Sequence, residues 1–274
     1  MISGAYNLAA CPSLGVSVSS ILSQSLADFE FIICDDASRD GTFEILSEFA
    51  RRDSRIKLIR NEENLGLAAS LNRCLEISVG EYIARHDLDD VSDEKRLEAQ
   101  VKFLDSNADI SLVGTAAYLF DERGVFGMES FPERVLRRDF LFSSPYKHGS
   151  VVFRRCALIK AGGYRVAKET RRAEDYDLFM TMQGFCRGAN LPDALYYFRE
   201  DKNALSRRKY KYRIDEVKVR WRGFSRLGLL PRGFFYVIKP LIVGLIPTGL
   251  LAKLRRKRRN KYGRKASHGY RSDL

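Results

Sequence analysis

The chain has 274 residues, 45% hydrophobic and 30% charged: enough to bury a full core, and the profile of an ordinary soluble globule, not a disordered polyelectrolyte. Its net charge of +12 hides an asymmetry, because residues 1–198 hold 24 Lys+Arg against 30 Asp+Glu while residues 199–274 hold 23 against 5. Three histidines and five cysteines without metal-type spacing exclude a histidine- or cysteine-built zinc site, and reduced thiols fit a cytosolic compartment.

In chain order, Val18, Ile21, Leu22 and Leu26 recur at helical spacing over 16–26, and the apolar run 29–34 reads as a largely buried strand. The polar run 35–42 that follows is a loop, with Thr42 or Asp40 capping a helix that carries Phe43, Leu46, Phe49 and Ala50. A short strand over 56–60 leads through Asn64-Leu65-Gly66 into a helix with Leu67, Leu71, Cys74 and Leu75 on one face. Cys34 and Cys74 lie in these apolar patterns and read as small core residues. Gly80 closes that helix, Tyr82, Ile83 and Ala84 form a strand, and Ser92 is expected to cap a helix over 93–105.

Directly behind the strand at 82–84 stand Asp87, Asp89 and Asp90. Strand periodicity puts Asp87 and Asp89 on one side, where two carboxylates repel unless a cation sits between them. A divalent ion held by one or two carboxylates and completed by substrate phosphates is one reading; a solvated acidic turn is the other. Strands alternating with helices indicate a parallel sheet, and ligands of such sheets bind at the carboxyl ends of the strands. The acidic loops at 35–36 and 87–90 both fall there. No GxGxxG or GxxxxGK[ST] loop is present.

The second half changes character. A long strand is expected over 110–120, a turn over 121–124, a helix over 132–142, and strands over 149–153 and 194–199. Between the last two, Glu174 and Asp175 open a helix that buries Leu178, Met182 and Phe185. Helix capping is the plainer reading of that pair; a general base aimed at the sheet edge is the functional one.

Taken together and in order, Ala5-Tyr6-Asn7, the runs 31–42 and 61–66, the run 80–90, His148-Gly149-Ser150 and the run 173–178 resemble the family 2 glycosyltransferases, inverting enzymes of GT-A fold. The resemblance covers about residues 1–200. It implies an α/β, Rossmann-like fold with a mostly parallel nucleotide-binding sheet and helices on both faces. It also implies transfer of a sugar from a nucleotide-diphosphate sugar, UDP-linked in many members, to a hydroxyl of a glycan or lipid-linked glycan. Residue by residue, Ala5 and Tyr6 correspond to the groups that meet the nucleotide base, and Asp36 to the carboxylate that bonds it. Asp87 corresponds to the ribose side and Asp89 to the ligand of Mg²⁺ or Mn²⁺. Asp175 matches the catalytic base, with Glu174 beside it near the acceptor. His148 is a candidate acceptor contact, although a loop hydrogen-bonding role is the simpler reading, and His86 reads as a strand-end residue. Two departures stand out: only Met1–Ala5 precede the Tyr-Asn pair, and 8–15 contains Pro12 and lacks the usual acidic residue.

The remaining residues, 201–274, form a basic extension. Apolar residues at 210, 214, 217, 221 and 224 predict a helix with one apolar stripe among many cations. The apolar run 234–252 is broken by Lys239, Pro240, Gly244, Pro247 and Gly249, too interrupted for a spanning helix. Attachment to an anionic membrane surface is expected, giving a peripheral protein on the cytoplasmic face; docking of 234–251 on the protein's own body is the alternative. Nucleic acid is the disfavoured partner, since it would leave that apolar run unexplained and no zinc-finger or RNP-type motif occurs. A non-catalytic nucleotide-sugar-binding relative is the rival to an enzyme.

Overall fold

The computed structural model describes residues 1–200 and 210–245. The N-terminal part alternates strand and helix as expected: β1 (Ile2–Ala5), α1 (Leu14–Leu22), β2 (Phe31–Asp35), α2 (Thr42–Arg52), β3 (Ile56–Arg60) and α3 (Leu67–Ile77). There follow β4 (Tyr82–Ala84), β5 (Val91–Ser92), α4 (Arg96–Ser106), β6 (Ile110–Asp121), β7 (Gly124–Glu129) and β8 (Val152–Arg154). The chain then forms α5 (Arg155–Lys160), α6 (Glu174–Gln183), β9 (Arg187–Arg199), α7 (Lys211–Arg226) and α8 (Phe234–Gly244).

β1, β2 and β3 form a parallel sheet in that order, and β4-β8-β6-β9-β5 form a mixed one in which only β6 and β9 run parallel. A parallel bridge between Ile2 and Arg85 joins the two sheets, so the carboxyl ends of β1, β2 and β4 share one rim. β2 is buried along its whole length because both its faces are covered, which is why it reads as a continuous apolar run. Its Ile32 and Cys34 enter one core cluster with Leu71 and Phe179; Phe31 and Ile33 enter the other with Val18, Leu46 and Leu97. Helices therefore cover both faces, as the resemblance implied.

Several local expectations change. The helix expected over 16–26 is α1, which ends at Leu22. Ser92 is no helix cap: it lies in β5, and α4 starts only at Arg96 after a turn in which Asp93 accepts a bond from the Lys95 amide at 2.9 Å. The span 132–142 holds a single 3₁₀ turn, Arg137–Leu141, in place of a helix. Asp40 supplies the side-chain bond at the start of α2, its Oδ1 accepting from the Thr42 amide at 3.1 Å. Residues 148–150 form a 3₁₀ turn, and the strand begins only at Val152.

The two C-terminal helices pack on the body. Val219, Phe224, Leu227 and Val237 belong to the same apolar cluster as Phe179 and Met180 of α6. A Cβ at Gly223 would overlap the Met180 side chain, so this glycine lets α7 approach α6 closely. The buried face of α7 is offset from the expected stripe: Arg213 and Arg220 turn inward, while Tyr210, Ile214 and Trp221 are exposed. Burying two guanidiniums is possible because both reach Glu216, Arg213 at 3.4 Å and Arg220 at 3.1 Å. Arg220 also donates to the carbonyls of Leu141 and Phe142, pinning α7 to the 3₁₀ turn. Residues 201–209 and 246–274, including much of the basic extension, lie outside the described residues.

Candidate active site

The rim formed by the carboxyl ends of β1, β2 and β4 carries the first group of candidate residues. Ala5 ends β1 and is buried, its carbonyl accepting from the Asp36 amide at 2.8 Å. Tyr6, 47% exposed, stands on a hollow of about 470 Å³ whose other walls include Ser38, Arg39, Arg60, Asn61 and Asn64. Two non-glycine residues here have positive φ, Asn7 at 51° and Ala37 at 57°. For alanine that conformation costs of order 1 kcal/mol, the kind of local strain that collects at ligand sites. Asn7 repays part of it by bonding Ser38 Oγ through its amide and the Arg39 amide through its side chain, each at 3.0 Å.

Asp36 is buried beneath this hollow. Its oxygens accept from Asn61 Nδ2 at 2.6 Å and from the amides of Leu65 and Gly66, both at 2.8 Å. The carboxylate therefore shapes the 61–66 loop, and one lone-pair direction is left for a ligand. Gly66, at φ 88°, makes the turn into α3 that presents those amides. Asn64 walls the first hollow and Leu67 a second one, so this loop is the partition between them.

Beyond β4 the acidic run is a buried network. Arg85, wholly buried, pairs with Asp87, while its Nε and Nη1 have no partner. Asp90 accepts from the Tyr196 hydroxyl at 2.8 Å and from the Arg199 amide at 2.7 Å, which ties the loop to β9. The Tyr196 oxygen in turn accepts from the Asp87 amide at 3.2 Å. Burial, with the neighbouring carboxylates, pushes Asp90 well above the usual carboxylate range. His86 is fully buried, with Ser17 Oγ at 2.9 Å from one ring nitrogen and Ser92 Oγ at 3.2 Å from the other, a structural strand-end residue.

Asp89 differs from its neighbours. Among the described residues no other side chain donates a hydrogen bond to its carboxylate, and burial followed by the charge of Asp87 raises it to about 6. A half-buried carboxylate lacking a donor, beside a second one, fits a hard divalent cation such as Mg²⁺ or Mn²⁺. The described residues contain no cluster of three or more His, Cys, Asp or Glu side chains able to cage a metal. Such an ion needs oxygen ligands from a bound phosphate, which is how magnesium is commonly held.

The second hollow, about 560 Å³, is lined by His148, Glu174, Asp175, Tyr176 and by Tyr212, Arg213, Glu216 and Arg220 of α7. Glu174 and Asp175 lie in the first turn of α6, which favours negative charge. Glu174 Oε2 is shut from solvent without a partner, and burial, then the charges of Asp175 and Asp87, raise this carboxyl to about 8. It therefore carries its proton at neutral pH. Asp175 Oδ1 accepts from the Tyr176 amide at 2.7 Å. His148 is lowered to about 4 by burial and by Arg85, so its ring is neutral, and its Nε2 lies 2.9 Å from the Tyr164 hydroxyl.

The structure thus brings His148, Glu174 and Asp175 into one hollow and links them electrostatically to Asp87, which raises Glu174. Tyr6 opens onto the other hollow. Gly149 explains the tight join: a Cβ there would overlap the Tyr196 hydroxyl and come within 2.9 Å of Asp87 Oδ2. No site role is expected above for Arg85, Tyr196 or the α7 wall. For Arg85 a signal existed, since strand periodicity places it on the side of Asp87. For Tyr196 and α7 none did.

Comparison with known proteins agrees with this geometry. The sequence profile of Glycosyl transferase family 2 matches residues 3–165. The protein of Bacillus subtilis (strain 168) named as the glycosyltransferase EpsE is 42% identical over 261 residues, covering 94% of this chain and 93% of its own. An Escherichia coli enzyme, UDP-Gal:alpha-D-GlcNAc-diphosphoundecaprenol beta-1,3-galactosyltransferase, is 26% identical over 89% of this chain and 90% of its own. Among solved structures, S. aureus TarS 1-349 in complex with UDP-GlcNAc superposes with a TM-score of 0.67 at 20% identity, covering 85% of this chain and 71% of that one. The Pyrobaculum calidifontis mannosyltransferase PcManGT, in complex with GDP-Man and Mn²⁺, superposes with a TM-score of 0.62 at 17% identity, over 93% of this chain and 78% of its own. Sequence profile, relatives and fold converge, and the chain belongs to glycosyl transferase family 2.

Proposed function

We propose that this glycosyltransferase moves a sugar from a nucleotide-diphosphate donor, a UDP-sugar first among them, to a hydroxyl of a lipid-linked glycan, with inversion at the anomeric carbon. The observation that carries the reading is the hollow in which Asp175, Glu174 and His148 meet, close enough to Asp87 for its charge to act on Glu174 and His148. The donor base rests against Tyr6 and Ala5, with Asp36 offering its remaining lone pair, and Asp87 faces the ribose. Asp89, together with the donor diphosphate, would hold Mg²⁺ or Mn²⁺, which when bound supplies positive charge against the departing diphosphate. Asp175 takes the proton of the acceptor hydroxyl. The acceptor oxygen forms its bond to the anomeric carbon as the bond to the diphosphate oxygen breaks, and the nucleoside diphosphate leaves with that electron pair. Attack opposite the leaving group inverts the centre, so a single base suffices.

The division of labour within the acidic pair follows from electrostatics. Two adjacent carboxyls near Asp87 resist double ionisation, and Glu174 is the one that keeps its proton. It can then donate a hydrogen bond to the acceptor, leaving Asp175 as the base. His148, neutral and bonded to Tyr164, shapes the acceptor side and adds no positive charge.

Attachment to an anionic membrane surface is the second part of the proposal. On α8, Phe235 is 76% exposed and Leu245 beyond it 75%, with Trp221 of α7 also bare. We infer peripheral attachment on the cytoplasmic face, with these bare apolar side chains as its support; no helix of the described residues is long and apolar enough to cross a membrane.

The test is a panel of nucleotide sugars with Mg²⁺ or Mn²⁺ and a diphosphate-lipid-linked sugar as acceptor. The reading requires one donor to give a product of opposite anomeric configuration by NMR. Retained configuration, or donor binding without transfer across the panel, contradicts it, the latter favouring the non-catalytic relative.

A further inference from the structure

The acidic rim contains one fully buried cation whose bonding is incomplete. Arg85 follows β4 at the joint of the two sheets, bridged to Ile2. Its amide donates to the Val151 carbonyl at 2.8 Å and its carbonyl accepts from Arg96 Nη1 at 3.1 Å, so its backbone is fixed on both sides. Among the described residues the guanidinium makes one hydrogen bond, from Nη2 to Asp87 Oδ1, and its Nε and Nη1 are buried without partners. Taking a guanidinium out of water costs several kcal/mol, and one pair with a carboxylate that is itself 29% exposed does not offset that. For stability alone, an apolar side chain of similar volume would serve this position as well or better. The gain lies in what the pair does to Asp87.

Asp87 is held at both ends. Its amide donates to the Tyr196 hydroxyl at 3.2 Å and its carbonyl accepts from the Asp90 amide at 3.0 Å, which fixes the backbone. Arg85 takes Oδ1, and Oδ2 lies beside Gly149, where an added Cβ would come within 2.9 Å of it. Among the described residues no group donates to Oδ2. Glu174 feels the charge of Arg85 but makes no bond to it, its own Oε2 being unpartnered, so the fork serves Asp87. A carboxylate clamped through one oxygen by an immobile guanidinium presents the other in a single direction.

We propose that Arg85 is a positioning residue for the donor: it locks the Asp87 carboxylate so that the free oxygen accepts from the ribose hydroxyls. The inference rests on the transferase reading, in which Asp87 faces the ribose, and deepens it by assigning recognition of that sugar to the pair. A lysine would supply the charge without the planar fork that sets the angle of the carboxylate.

Calorimetry on the full chain with Mn²⁺ compares UDP and GDP, each with its 2′,3′-dideoxy form, so that diphosphate and metal are the same within each pair. For at least one base, wild type should bind the ribose form about tenfold or more tightly, as hydrogen bonds to a charged group permit. Arg85→Met should bind the two forms alike. If that variant does not fold, Arg85→Lys carries the test, and its preference should fall as well. In an Asp87→Asn background, Arg85→Met should cost no further ribose preference, because the two residues act as one unit. An arginine that serves only the fold gives the reverse pattern: a lowered melting temperature with the ribose preference intact. That result overturns the proposal, as does a further loss of preference in the Asp87→Asn background. Equal binding of both forms by wild type for both bases removes Asp87 from the ribose and takes the proposal with it. A chain that shows the expected pattern but transfers no sugar contradicts the proposed function and leaves this inference standing.

Discussion

The rim of β1, β2 and β4 and the wall of the hollow that holds Asp175 are built in opposite ways. On the rim, short segments carry their own chemistry: β2 ends in Asp35 and Asp36, β4 runs into Asp87 and Asp89, and one loop, 61–66, closes on Asp36. The wall of that hollow is pieced together from α3, the 3₁₀ turn at His148–Ser150, the start of α6, and α7, segments that run from Leu67 to Arg220 in the sequence. A site of the first kind moves as a unit with its sheet. One of the second kind depends on long-range packing, and helix packing far from the chemistry can disturb acceptor binding while the donor side stays intact.

Gly149→Ala attacks the point where the two regions touch and should have the largest effect. The added methyl must displace Tyr196 and crowd Asp87, with a cost of about 1–3 kcal/mol. Thermal denaturation should fall by several degrees and donor affinity and transfer should drop together; a variant of wild-type stability and activity would show that this contact is slack. Arg220→Gln probes the wall of the Asp175 hollow alone. It leaves Glu216 with Arg213 as its remaining partner and removes the Arg220 bonds to the carbonyls of Leu141, Phe142 and Tyr236, a loss of about 2–4 kcal/mol. KM for acceptor should rise while UDP affinity by calorimetry stays within about twofold, inside ordinary context scatter. An equal loss on both sides would mean that the two regions are not separable.

A subtler test uses protonation. Burial raises Glu174 to about 8, with Asp175 and Asp87 also opposing its ionisation, Arg85 favouring it, and neutral His148 in the same hollow. Below about 8 it is uncharged; above, it adds a negative charge beside the place where an anionic donor must sit. Transfer by wild type should therefore decline as pH passes about 8, and Glu174→Gln should flatten that limb of the pH profile. An unchanged limb in the variant would assign the decline to another group. The smallest effect belongs to the outer surface. Phe235→Glu with Leu245→Glu should weaken cosedimentation with phosphatidylglycerol vesicles without altering transfer to a water-soluble acceptor, and unchanged cosedimentation would remove α8 from the membrane account.

The same contrast explains what could be read from the residues alone. Alternation of apolar strands and amphipathic helices gave β2, β3 and α3 with boundaries off by a residue or two, because each buries a complete local pattern. The acidic run behind β4 was legible for the same reason. Ser92 was misread as a cap because its hydroxyl serves the buried His86, a contact formed only after the chain folds back. The stripe on α7 was placed one position off, since periodicity counts Arg213 and Arg220 as polar and cannot foresee Glu216 making their burial tolerable. For Arg85 the strand period gives only its side, that of Asp87; its burial with unpartnered nitrogens depends on surroundings that no local pattern shows.

The assignment of Asp175 as base is the claim on which the mechanism turns, and Asp175→Asn tests it most directly. Once the donor is known, its affinity for the variant in the presence of Mn²⁺ should match wild type, while transfer should fall by about 10² to 10⁴, the usual worth of a general base. Transfer at the wild-type rate, or loss of donor affinity in step with activity, would contradict the account.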